Sequence, residues 1–151
     1  MRNFFTIVFI VVSLVSCTTS KTTVSNSADL SKYKYASLSD VMSYGGSASM
    51  MDIEVLIYDA IEKTSLEMIG DKRISELTDF QKSQLLIVRF AASQSDEESV
   101  ISVNFVDYTT GRPIASCRGA WGLGLDKDGD LVGAIKRVEK QMIQLWGPKN
   151  K

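Results

Sequence analysis

The apolar positions of this chain change period from segment to segment, and each change predicts an element. Residues 4–14 are almost continuously apolar, broken only by Thr6 and Ser13. Residues 18–28 read TTSKTTVSNSA and hold one aliphatic side chain larger than alanine, Val24. From Tyr33 to Met42 the alternation is imperfect but strand-like. Ser43 to Ala48 is a loop by composition, with Gly45 and Gly46 at its centre. Ile53, Leu56, Ile57, Ala60 and Ile61 then fall at i, i+3, i+4, i+7 and i+8, one face of a helix. Ser49 and Asp52 have the spacing of a capping box, so the helix is expected from Met50 to Thr64.

Leu66 to Ile69 is a short apolar run closed by Gly70, which suits a short strand. Ile74 and Leu77 fit a single helical turn. Leu85 to Ala92 is nearly all apolar apart from Arg89, and its length predicts a strand buried on both faces. Ile101, Val103 and Phe105 alternate with Ser102, Asn104 and Val106, the period of a half-buried strand. Thr109 to Pro113 supplies a turn, and Ile114 to Trp121 returns as a further strand. These three strands are expected to form an antiparallel meander. After a loop over Gly122 to Gly129, Asp130 is the expected N-cap of a second helix. Its apolar stripe is Leu131, Ala134, Ile135, Val138, Met142, Leu145 and Trp146, and Gly147-Pro148 ends it.

The order is β-α-β-β-β-β-α. It predicts an α+β fold: a single mainly antiparallel sheet with two amphipathic helices packed on one face. The expected organisation is a signal at 1–16, a flexible tether at 17–28, one α/β domain at 29–147 and a tail at 148–151. As a random coil the eleven tether residues reach roughly 18 Å.

The amino-terminal run has the charge and length of a secretory signal: Arg2, then an apolar region too short to span a bilayer comfortably. Its end, Leu14-Val15-Ser16-Cys17, is similar to the lipobox of bacterial lipoproteins. That resemblance implies cleavage between Ser16 and Cys17, a diacylglycerol thioether on Cys17 and acylation of the new amino terminus. At ~0.8 kcal/mol per buried CH₂, such acyl chains hold a protein on its membrane essentially permanently. Thr18 and Thr19 follow, without the aspartate or the acidic cluster that redirects some lipoproteins. The resemblance therefore implies the periplasmic face of the outer membrane.

Composition narrows the chemistry. The chain has 17 Lys and Arg against 18 Asp and Glu, a formal charge of −1. Losing residues 1–16 removes only Arg2 among charged side chains, so there is no basic footprint for nucleic acid. There are two cysteines; with Cys17 lipidated, Cys117 has no intramolecular partner and is expected in the core. There is no histidine. Ser-His-Asp and Cys-His nucleophile systems are thereby excluded, as are His-ligated zinc sites.

Several motifs carry partial signatures of chemistry. Asp126 to Asp130 has the look of a calcium loop, but position six is Leu131 and position twelve is Arg137, where an EF-hand needs Gly and Glu. Gly119, Gly122 and Gly124 match neither the dinucleotide nor the P-loop spacing. Ser31-x-x-Lys34 lacks the companion motifs of penicillin-recognising enzymes. Asp96 to Glu98 reads as a solvated turn. No metal and no cofactor is expected, and no catalytic residue is assigned. Tyr44 and Trp121, aromatics beside glycine loops, are the candidate interface residues, although Trp121 can equally close the core at a strand end.

The order of elements, with the FVDYTTGRPIASCRGA hairpin (Phe105 to Ala120) and the terminal helix, resembles small bacterial envelope lipoproteins. It is loosely similar to the α/β domain of the curli-secretion lipoprotein, of penicillin-binding-protein activator lipoproteins and of the amino-terminal domain of TolB. The resemblance implies a non-catalytic, lipid-anchored adaptor or assembly module that binds another envelope protein or itself. The alternatives are a binder of a small molecule, glycan or metal ion and, third, a histidine-free enzyme.

Overall fold

The computed structural model describes residues 19–40, 48–122 and 127–149. The elements in chain order are β1 (Ser20–Val24), a 3-10 turn (Leu30–Lys32), β2 (Tyr35–Leu38), α1 (Ala48–Glu62) and β3 (Glu67–Met68). A 3-10 turn (Asp71–Glu76), α2 (Asp79–Ser83), β4 (Leu85–Gln94), β5 (Ser99–Asp107), β6 (Pro113–Trp121) and α3 (Lys127–Trp146) follow. The strands form one six-stranded sheet in the order β1-β6-β5-β4-β2-β3. The predicted meander is present: β4 pairs antiparallel with β5, and β5 with β6. β2 lies parallel to both β3 and β4, so the sheet is antiparallel on one side and parallel on the other.

Burial follows the alternation. Ile101, Val103 and Phe105 of β5 are fully buried, whereas Asn104 between them is exposed. Their face packs under α1 and α3, whose inward residues Ile57, Ile61, Ala134, Val138 and Met142 belong to the same cluster. Phe105 and Trp146 anchor it with ring centroids 4.3 Å apart. Large-to-small changes at such positions cost about 3–5 kcal/mol. Cys117 is buried in this core, as expected, and burial pushes its thiol up to about 12.

The fold class matches the pattern, with several corrections. The chain read as a flexible tether contains a strand: β1 runs antiparallel along the edge of β6, from Ser20 opposite Gly119 to Val24 opposite Ala115. Thr22, Thr23 and Val24 are β-branched and suit a pleated edge, and an edge strand needs no apolar run to be held. β4 is not buried on both faces throughout. Leu85, Leu86 and Val88 are buried, but Arg89 and Ala91 are exposed, with no described element covering them. Both helices begin earlier than predicted. α1 starts at Ala48, which puts Ser49 inside the helix, and α3 starts at Lys127, which puts Asp130 within its first turn, buried. Leu56, expected in the core, is exposed; at about 100° per residue it lies at the rim of the buried stripe. Gly147 ends α3 with φ +79° and donates its N–H to the Ile143 carbonyl at 2.8 Å, the C-terminal geometry that Gly-Pro predicts.

Candidate interaction site

The predicted site residues divide sharply. Ser16, Cys17 and Tyr44 lie outside the described residues. So does Asp126; the remainder of the acidic loop, Lys127 to Asp130, is the first turn of α3. Lys127 there is paired with Asp96 at 2.7 Å. The Ser31 hydroxyl donates to Asp29 Oδ1 at 2.7 Å in a turn cap. Among the described residues no three His, Cys, Asp or Glu side chains come together, and no helix is long and apolar enough to cross a membrane.

Trp121 stands at the end of β6, half-buried. Its indole lies flat over Gly133 of α3, where a Cβ would sit 2.5 Å from Cγ of the ring. Only glycine admits the ring that closely. The Arg137 guanidinium covers the indole, 4.7 Å from its centroid, a cation–π contact. Two residues earlier on the same strand, Gly119 lets β6 approach α3, since a Cβ there would meet the Ala134 carbonyl oxygen at 2.5 Å. Gly119 and Gly133 thus serve close packing of strand on helix, and Gly122 serves the approach of the Glu97–Glu98 turn.

Beside Trp121 a cleft of about 660 Å³ runs along the outer side of α3. Its walls include Ser20 at the start of β1, Trp121, and Lys136, Arg137 and Lys140 of α3. β1 is fastened to this helix by Gln141, which is buried. Gln141 accepts from the Thr22 hydroxyl at 2.8 Å and donates to Ser20 Oγ at 2.6 Å and to the Arg118 carbonyl at 2.9 Å.

A second surface was not anticipated. Met51, Val55 and Tyr58 occupy i, i+4 and i+7 on α1 and are 49%, 60% and 37% exposed. At about 100° per residue they lie opposite Ile53, Ile57 and Ala60. The helix is therefore apolar on two sides, one of them turned outward, and with Asp40 and Glu54 this stripe lines a shallow depression of about 390 Å³. The same spacing was present in the sequence, hidden by the stronger inward stripe.

The buried polar cluster is at the other end of the sheet. Asp107, 3% exposed, accepts from the Tyr33 hydroxyl at 2.8 Å, the Lys32 ammonium at 3.0 Å and the Thr110 amide at 2.8 Å. Burial raises its pKa, but the Thr110 amide, Tyr33 and Lys32 outweigh it and bring the carboxyl down to about 2. Burial and the Asp107 bond hold the Tyr33 hydroxyl well above its ordinary range. With both groups locked in their ordinary charge states, the cluster fastens the Leu30–Lys32 turn to the β5–β6 hairpin.

No protein-family model matches the chain, and no curated protein matches it significantly. Solved structures do. A variant of the PelC dodecamer from Paraburkholderia phytofirmans superposes with a TM-score of 0.53 at 12% identity, covering 85% of this chain and 97% of that one. A PDZ domain protein from Parabacteroides distasonis superposes with a TM-score of 0.56 at 13% identity, covering 83% of this chain but 35% of that one. Neither is a curli-secretion, penicillin-binding-protein activator or TolB protein. At these identities the likeness is one of fold: a mostly antiparallel sheet layered with helices, which this chain shares with an oligomeric protein and with part of a larger one.

Proposed function

We propose that this chain is a lipid-anchored, non-catalytic assembly module of the bacterial cell envelope that associates with further copies of itself. The lipobox-like junction at Cys17 supports the anchor, and Thr18-Thr19 after it, with no acidic residue before Asp29, supports the periplasmic face of the outer membrane as its place. The observation that carries the assembly role is the outward stripe of α1, Met51, Val55 and Tyr58. Large apolar side chains at i, i+4 and i+7 on a solvent face are the pattern of a helix that docks on another surface. Fully covering one such side chain is worth about 1.5–3 kcal/mol, so three supply a useful contact. The PelC structure, a dodecamer by its own description, makes self-association the first partner to test.

The test is the oligomeric state of the full chain, purified in detergent and measured by sedimentation beside Val55→Glu. The expected outcome is an oligomer in the wild type and a monomer in the variant, with unchanged circular dichroism. An oligomer indifferent to Val55→Glu would remove α1 as the interface. A monomeric wild type that crosslinks through α1 to a different envelope protein in intact cells would replace the second copy with that partner.

A further inference from the structure

The anchor and the domain are closer than the composition implies, and that proximity gives the cleft on α3 a ligand. With Ser20 in the sheet, only Thr18 and Thr19 separate Cys17 from β1. Three residue spans reach at most about 10 Å when extended. Ser20 is itself part of the cleft wall. Whatever surface holds Cys17 therefore lies against this cleft.

The charge of the cleft suits one kind of surface. Lys136, Arg137 and Lys140 line it, and no acidic side chain does so among the described residues. None of the three forms a salt bridge with a described carboxylate. Arg137 Nε is buried, held over the indole, and has no hydrogen-bond acceptor. A buried donor left unpaired is unfavourable, and Arg137 stands in the cleft wall, where its guanidinium can meet a phosphate oxygen. On the other side of the sheet edge, Lys21 stands opposite Arg118, so the start of β1 is cationic on both faces. The acidic turn Asp96 to Glu98 approaches the same end of the sheet at Gly122. There Asp96 is neutralised by Lys127, and none of the turn lines the cleft.

We infer that the cleft formed by Ser20, Trp121, Lys136, Arg137 and Lys140 binds the phosphate headgroup of an anionic phospholipid in the membrane to which Cys17 is attached. The inference rests on the anchored reading. Its consequence is orientation: the domain is held with the α3–β1 side against the bilayer, which leaves the α1 stripe available for assembly. Each basic side chain near an anionic surface strengthens attachment only about fivefold, so the anchor supplies the affinity and the cleft supplies the pose.

The experiment places the acylated full chain in vesicles of phosphatidylcholine containing increasing fractions of phosphatidylglycerol. The readout is Trp121 emission and its quenching by acrylamide; the other tryptophan, Trp146, is buried. Phosphatidylglycerol is expected to protect Trp121, and salt to reverse the protection. In Lys136→Gln/Lys140→Gln the fraction needed for half protection should rise about tenfold or more, as two lost charges predict. The exposed pair Lys72→Gln/Lys149→Gln, which removes equal charge elsewhere, should leave it unchanged. Trp121 indifferent to phosphatidylglycerol, or equal shifts in both double variants, would overturn the site. Mass analysis of the peptide bearing Cys17 tests the anchor separately. Acylation without Trp121 protection sinks the cleft alone, and an unmodified Cys17 sinks the anchored reading on which the cleft depends.

Discussion

Asp107 is a carboxylate at 3% exposure that stays charged because three donors converge on it. Its folded pKa of about 2 lies below the unfolded value near 3.9. A depressed carboxyl pKa stabilises the fold fully above the unfolded value, and that contribution is lost as pH falls from about 4 to about 2. The shift corresponds to about 2 kcal/mol. Thermal stability is therefore expected to decline through that window in the wild type and to decline less in Asp107→Asn, which starts lower at neutral pH. Melting curves of the two at matched pH check this; parallel acid profiles would show that other carboxylates set the acid limit. Gly133 matters in another way. It has no side chain to contribute, and that absence is what seats Trp121 and, through the ring, places Arg137.

Among the elements, β1 shows what a local reading misses. Ser20 to Val24 carries almost no apolar signal, and its hold on the molecule is the edge of β6 and the amide of Gln141, 119 residues from Thr22 in sequence. No window of neighbouring residues contains that partner. The helices and the meander were legible because periods of 3.6 and 2 are written within one segment: Ile53 to Ile61 for α1, Ile101 to Phe105 for β5. The parallel placement of β2 between β3 and β4 was not, since pairing direction leaves no local mark. For the candidate site the same division holds. Trp121 was singled out from its glycines, but its role depends on Gly133 and Arg137, which only the packing of α3 on β6 brings to it. Gln141→Leu should therefore act on β1 alone at first. It leaves the Arg118 carbonyl without this donor and removes both side-chain bonds to β1. Amide exchange at Lys21 and Thr23, whose positions alternate with the bonded Thr19 and Ser25, is expected to accelerate at least tenfold, for a loss of about 1–3 kcal/mol. Exchange in β5 should scarcely change. Equal acceleration in both strands would mean that β1 opens only with the whole fold.

At the scale of the molecule, a single buried cluster joins elements from Tyr33 to Trp146. The end of that span is also tied back to its middle. The Ser65 N–H donates to the Gly147 carbonyl at 3.0 Å, and the Lys149 N–H donates to the Lys63 carbonyl at 2.8 Å, so the chain after α3 closes on the turn after α1. Strands β2, β4, β5 and β6 and both long helices contribute to the buried cluster. A chain arranged this way should unfold in one step. In Trp121→Phe the remaining indole, Trp146, packs against Phe105 in the middle of the cluster, and its emission reports the core while circular dichroism reports the helices. The two signals are expected to coincide in a urea titration, with a slope of about 1–3 kcal/mol/M. Separate transitions would divide the region 29–147 into independent units. They would also mean that β1 and α3, which Gln141 joins, can loosen while the α1 stripe stays in place.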